Sequence, residues 1–156
     1  FDSVALFENR VALPRARMMT EVRIASGEAE ADQIVRSPKF DPRREAVVES
    51  DRPLGTSEGE VIWKERTSDR IALEVVAKSN GVLVVADTDY PGWEATVDGA
   101  PAPILRANLA FRAVEIPART HRVEFRFRPA SARHGLIASM LFLLLSAAAS
   151  FYRRKP

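Results

Sequence analysis

The chain has 156 residues, 23 of them Lys or Arg and 21 Asp or Glu, for a formal charge of +2 and a pI near 9.3. That balance is too mild to argue for nucleic acid as a partner. Cysteine is absent, which excludes disulfides, thiolate metal sites and cysteine nucleophiles together. Only four of the 23 cations are lysines, Lys39, Lys64, Lys78 and Lys155, so the arginine excess reads first as composition bias.

Along the chain, 4–7 and 18–24 read as strands, and one short helix follows. Ser26 is placed to cap it, Glu28 and Glu30 fall in its first turns where the dipole favours anions, and Pro38 stops it. Strands are expected at 45–49 and 60–64, on either side of a surface loop at 50–59 that holds Pro53, Gly55 and Gly59. Segments 70–78 and 82–86 are separated by Ser79-Asn80-Gly81, an Asn-Gly signal that favours a tight hairpin. The second of them, Val82-Leu83-Val84-Val85-Ala86, is continuously apolar and suits a central strand covered on both faces. A strand at 93–97 leads into Asp98-Gly99, a second hairpin signal, and Pro101 and Pro103 beyond it suggest a sheet edge. Segment 109–116, ended by Pro117, reads as the partner of the last strand, 121–128. There Val123, Phe125 and Phe127 share one face, and Arg122, Glu124, Arg126 and Arg128 the other. The expected fold is mainly β: an antiparallel β-sandwich or jelly-roll-like domain of roughly ten short strands and one short helix.

Residues 135–152 carry no charge, and Arg153, Arg154 and Lys155 close the run. As a helix it would extend about 27 Å, against roughly 30 Å of bilayer hydrocarbon. A core helix usually keeps a polar stripe, whereas this one is apolar all round and ends in cations, so a transmembrane helix is expected. The domain plan is then an extracytoplasmic β-sandwich at 1–134, a membrane span at 135–152 and a cytoplasmic basic tail at 153–156. Only 129–134 separate the last strand from the span, so the sandwich must sit against the bilayer. The chain starts at Phe1 without a targeting segment, which suggests a piece of a longer membrane protein.

Catalytic constellations are scarce. His121 and His134 have no ligand-like spacing, so no metal and no cofactor is expected. Asp87 and Asp89 could pair as glycosidase carboxylates or begin a calcium loop, but a turn-capping role is favoured. Tyr90-Pro91-Gly92-Trp93 is the most specific local signal, because Pro91 and Gly92 fit the centre of a type II turn. Tyr90 and Trp93 then form an aromatic platform for a sugar or lipid headgroup, or Trp93 is a core plug beneath the turn. The second reading is favoured, since large aromatics are highly buried on average. Arg112, Arg122, Arg126, Arg128 and Arg133 could form a basic face near the bilayer for lipid phosphates, or an ordinary solvated strand face. The candidate substrate-binding residues are thus Tyr90, Trp93, Arg112, Arg122, Arg126 and Arg128, with Pro91, Gly92, Asp98 and Gly99 as structural turn residues.

Several motifs in this order resemble the C-terminal part of the bacterial YfhO family. They are Ala5-Leu6-Phe7-Glu8-Asn9, Ala12-Leu13-Pro14-Arg15-Ala16, Phe40-Asp41-Pro42, and Asp87-Thr88-Asp89-Tyr90-Pro91-Gly92-Trp93 with Val97-Asp98-Gly99. Phe111-Arg112-Ala113-Val114 and His121-Arg122-Val123-Glu124-Phe125 complete the set. The resemblance implies a polytopic membrane protein similar to GT-C glycosyltransferases, acting on cell-envelope polymers from polyprenyl-phosphate sugars. It implies an extracytoplasmic β domain and a final helix, and it places the catalytic acid in an earlier loop, so no catalytic residue is expected in this chain. The implied partners are the lipid bilayer, the upstream transmembrane region, an envelope glycan and a polyprenyl-phosphate sugar. The family pattern leads one to expect a glycine in the turn before His121, where this chain has Arg119-Thr120, and a tyrosine at Phe127. Five arginines between Arg119 and Arg133 outnumber the three cations after the span, which alone would put the domain in the cytoplasm. Large domains translocate largely regardless of charge, so the resemblance decides the orientation. The alternative is a stand-alone membrane-anchored carbohydrate-binding or adhesion module.

Overall fold

Alternation along the last strand sets the architecture, because it gives that strand one apolar face to bury. A computed structural model describes residues 7–152, with the backbone alone at 130, 132–134 and 147–152. In chain order the elements are β1 (Ala16–Met18), β2 (Glu21–Ala25), α1 (Glu28–Val35), β3 (Glu45–Glu49), β4 (Gly59–Arg66), β5 (Arg70–Ala77) and β6 (Gly81–Thr88). There follow β7 (Trp93–Val97), β8 (Ala100–Ala102), β9 (Leu105–Ala107), β10 (Phe111–Ile116), β11 (Arg119–Phe127) and α2 (Ala130–Tyr152). They form a six-stranded sheet, β1-β6-β10-β9-β3-β2, and a five-stranded sheet, β4-β5-β11-β7-β8.

The two sheets bury their inner faces against each other. Leu73, Val75, Val123 and Phe125 from the five-stranded sheet meet Leu83, Val85, Val114 and Ile116 from the six-stranded one. On β6, Leu83 and Val85 point into this core, while Val82 and Val84 join Val48, Ala113 and Met19 in a second cluster against which Leu54 packs. The expectation of a strand covered on both faces is met.

Several expectations are corrected. The fold is not wholly antiparallel: β2 and β3 pair in parallel, from Glu21 opposite Glu45 to Ala25 opposite Glu49. The chain between them is long enough for a crossover, and α1 makes it, setting Ala31 against Ala25 and Val47. Gly27, not Ser26, occupies the N-cap of α1. Ser26 lies one residue outside and donates its N–H and hydroxyl to the Glu30 carboxylate at 2.8 and 2.7 Å. The expected strand 18–24 breaks at Met19 and Thr20, sending β1 and β2 to opposite edges of one sheet. Of the strand expected at 4–7, residues 4–6 lie outside the described residues and Phe7 is not in a strand.

Both expected pairings around the long apolar strands also fail. β5 and β6 lie in different sheets, and so do β10 and β11. Each connection is a corner that crosses the sandwich, because each pair of strands can then bury its apolar face on the other sheet. Asn80 laces the corners together by accepting the Ala118 N–H at 2.9 Å. Gly81 is there for close approach: a Cβ on it would lie 2.6 Å from Ser57 Cβ. The Asp98-Gly99 hairpin is real, with φ of 52° and 82°, the paired positive values that a type I′ turn requires. It joins β7 to β8, and β8, with Pro101, is an edge strand as expected.

Only Arg128 and Pro129 separate β11 from the 23-residue helix α2. Leu136, Ile137, Met140, Leu141, Phe142, Leu143, Leu144 and Leu145 are each 51–71% exposed on it. Among the described residues no helix is long and apolar enough to cross a membrane. The side chains at 147–152, within the expected span, and the basic tail 153–156 lie outside the described residues.

Where the family pattern expects glycine, Arg119 has φ of 108°, a conformation that favours a residue without Cβ. Arg119→Gly should therefore stabilise the fold by about 1 kcal/mol despite the entropy glycine adds to the unfolded chain. Urea unfolding of the two proteins checks this.

Candidate functional site

The corner between β6 and β7 is built as its sequence requires. Gly92 has φ of 110°, and the Trp93 N–H donates to the Tyr90 carbonyl at 3.3 Å, as in a type II turn. The turn is fastened to the end of β11, where the Arg128 N–H donates to the Gly92 carbonyl at 2.6 Å. There is no space for a side chain at 92, since a Cβ would lie 3.0 Å from both the Phe127 ring and Pro129 Cα. The two aromatics part company. Tyr90 is 63% exposed with its ring 6.3 Å from that of Phe127. Trp93 turns inward against the core, 5.4 Å from Phe127. The core-plug reading describes Trp93, and Tyr90 is the aromatic presented to solvent.

Arg112 does not belong to the basic face. It lies on β10 of the six-stranded sheet, on the same inner face as Val114, and is 2% exposed. Its guanidinium stacks 3.9 Å above the Trp93 ring and 5.4 Å from that of Phe125. Nη2 stands 3.5 Å from Asp87 Oδ2, while Nε and Nη1 are buried without a hydrogen-bond partner. Burial lowers its pKa, and Asp87 and Asp89 oppose that shift. Asp87 Oδ1 accepts from Arg15 Nε at 2.6 Å. With both carboxylate oxygens engaged by arginines, Asp87 is poorly placed to act as one of a glycosidase pair.

The remaining candidates lie on the outer face of β11, Arg122 and Arg126, or just past its end, Arg128, and are already paired. Arg122 and Arg126 each reach Glu124 at 2.8 Å, and Arg70 reaches it at 3.4 Å. The Arg126 hydrogen bond and then the charges of Arg122 and Arg70 hold the Glu124 carboxyl below its ordinary pKa. Arg128 stands 3.6 Å from Glu94. This face is a lattice of alternating charge rather than a basic stripe. The Arg133 side chain lies outside the described residues.

A groove of about 720 Å³ runs from the turn along the β7–β8 edge, lined by Asp89, Tyr90, Trp93, Glu94, Ile104 and Arg106 among others. The rings of Tyr90 and Trp93, the acidic oxygens of Asp89 and Glu94 and the Arg106 guanidinium surround an apolar floor, so the groove offers both a stacking face and hydrogen-bond partners. Glu94 and Arg106 are not among the candidates the sequence offers; Asp89 is, as a turn cap or one of a carboxylate pair, and the structure sets it at the lip of this groove beside the Tyr-Pro-Gly turn. Among the described residues no group of three or more His, Asp or Glu is disposed to hold a metal.

At the opposite end of β7, Asp98 is a clamp rather than a turn residue alone. Its Oδ2 is 2.6 Å from His121 Nδ1, and its Oδ1 accepts the Arg122 N–H at 2.8 Å. His121 Nε2 faces the Ala118 carbonyl at 3.2 Å, so both ring nitrogens meet acceptors and the protonated ring satisfies both. The hydrogen bond to Asp98 is the main cause that raises the His121 pKa. The Arg122 N–H, then His121, lowers that of Asp98.

The family model described as bacterial membrane protein YfhO matches residues 57–139, more than half of the 156 residues and the whole stretch from β4 to the first turns of α2. No curated protein and no solved structure matches the chain.

Two predictions follow from the charges. His121 contributes stability in full below its ordinary pKa of 6.5 and loses it as pH rises through the higher folded value, while Asp98 contributes above 3.8 and loses it as pH falls through its depressed value. Thermal unfolding across the neutral range should therefore show a Tm that declines with rising pH in the parent and is flatter in His121→Gln. For the buried pair, Asp87→Ala strands the Arg112 charge and should cost about 3 kcal/mol, whereas Arg112→Met should stay within about 1 kcal/mol of the parent. Chemical denaturation of both variants measures the asymmetry.

Proposed function

The chain belongs to the YfhO family of bacterial membrane proteins, and on that premise we propose that it is the accessory region of a polytopic enzyme resembling GT-C glycosyltransferases. The sandwich at 1–134 stands outside the cytoplasm, 135–152 crosses the bilayer and 153–156 return to the cytoplasm. The parent transfers a sugar from a polyprenyl-phosphate carrier to an envelope polymer. This region supplies no catalytic group and handles the glycan or lipid-phosphate part of a substrate.

One observation carries this reading. The groove beside Tyr90 is fastened, through the bond from Arg128 to Gly92, to the residues directly ahead of a helix whose apolar side chains are exposed. A helix with Leu136, Leu141 and Leu144 all more than half exposed needs an apolar surrounding, and a bilayer provides it. The groove's mixture of ring, carboxylates and guanidinium suits sugar hydroxyls, which need both a stacking face and hydrogen-bond partners.

Titration of the detergent-solubilised chain with a polyprenyl-phosphate sugar and with envelope-polymer fragments tests the proposal by calorimetry. Saturable binding should weaken about tenfold in Tyr90→Ala, the loss expected for one stacking ring. Absence of saturable binding by the folded parent to either class would overturn it.

A further inference from the structure

Strand register sorts the residues of both sheets into two ends. Thr88 opposes Phe111, and Trp93 opposes Phe127, at the end where β11 leaves for α2. β1 begins at this end too, since its first residue, Ala16, pairs with Val85 and its last, Met18, with Leu83 farther from the corner. The described chain therefore enters and leaves the sandwich at one end. The opposite end holds the corners at Asn80 and Ala118 and the Asp98-Gly99 turn.

The shared end differs chemically from the other. The segment that leads into β1 exposes Phe7 at 91% and Val11 at 65%, and the β6–β7 turn exposes Tyr90 at 63%. Outside α2, Phe7 and Tyr90 are the exposed aromatic residues among those described. Arg126 and Arg128 stand at the same end, each already set against a carboxylate, Glu124 at 2.8 Å and Glu94 at 3.6 Å, so this end carries no net basic patch. Tyr90 cannot swing away, because the turn is bonded to Arg128 and packed on Pro129. From Ala130 to Leu136, where the apolar part of α2 starts, the helix rises about 9 Å. The polar layer on each side of a bilayer is about 5–7 Å thick. Tyr90 is thereby held near headgroup depth, where an amphipathic ring is favoured.

We infer that this end of the sandwich, made by the 7–15 segment and the 89–92 turn, is a foot that rests in the headgroup layer of the bilayer. The inference rests on the reading of α2 as a membrane span. It also gives the groove beside Trp93 an orientation: its Asp89–Tyr90 end lies nearest the bilayer, within reach of a lipid-linked ligand, and it runs away from the membrane along β7 and β8 toward Thr96 and Pro101.

The chain has no cysteine of its own, so a single fluorophore can be placed at will. Full-length Val11→Cys, Tyr90→Cys, Lys78→Cys and Leu141→Cys are labelled and reconstituted in phosphatidylglycerol–phosphatidylcholine vesicles, with far-UV circular dichroism confirming β structure. Headgroup-located spin labels should quench positions 11 and 90 and spare position 78, and acyl-chain bromines should quench position 141. Quenching at 141 with 11 and 90 no different from 78 would overturn the foot and leave the span standing. No quenching at 141 would remove the span and the foot together.

Discussion

β11 is hydrogen bonded on both sides, to β5 and to β7, and two residues after it ends the chain is already in α2. This direct passage from the middle of a sheet into an apolar helix constrains everything around it. Pro129 has no N–H to offer and a fixed φ, while Arg128 gives its N–H to Gly92. The strand end, the Tyr-Pro-Gly turn and the helix start thus share one small knot of backbone. Phe127 ties the groove into that knot, its ring lying 6.3 Å from that of Tyr90 and 5.4 Å from that of Trp93. A flexible linker would have decoupled them.

The second organising feature is the charge inside the sandwich. Arg112 belongs to one sheet and Trp93 to the other, so the stacked pair ties the layers at the end where the helix leaves. Asp87 extends the tie to Arg15, just ahead of β1. A buried guanidinium with two unpartnered nitrogens is an expensive way to hold sheets together when apolar residues of the same volume would serve. What it adds is a directional contact between the layers, the guanidinium of one sheet stacked 3.9 Å above the Trp93 ring of the other.

Much of the fold was legible because period-two alternation and turn chemistry are local. Val123 and Phe125 against Arg122 and Arg126, the Asp98-Gly99 turn and the proline-marked edge all read directly from neighbours in sequence. Pairing was less legible. Asn80-Gly81 looks the same whether the chain turns back on itself or crosses to another sheet, and the choice depends on Ser57 and Ala118, both far away in sequence. The α1 crossover carried a strand-helix-strand signal that an all-antiparallel frame absorbed. At the site, the type II turn was legible from Pro91 and Gly92, but the burial of Arg112 was not, since only its placement on the inner face of β10 separates it from Arg122 and Arg126. Arg106 carried no signal at all, as it meets the groove only through the path of β9.

The account stands on α2 crossing the bilayer with the sandwich held at its surface. Oriented circular dichroism of the full chain in aligned phospholipid multilayers tests this most directly, because the helical signal depends on the angle between helix axis and membrane normal. The account predicts a helical component aligned near the normal. A helix lying in the membrane plane, or one with no preferred orientation, would contradict it.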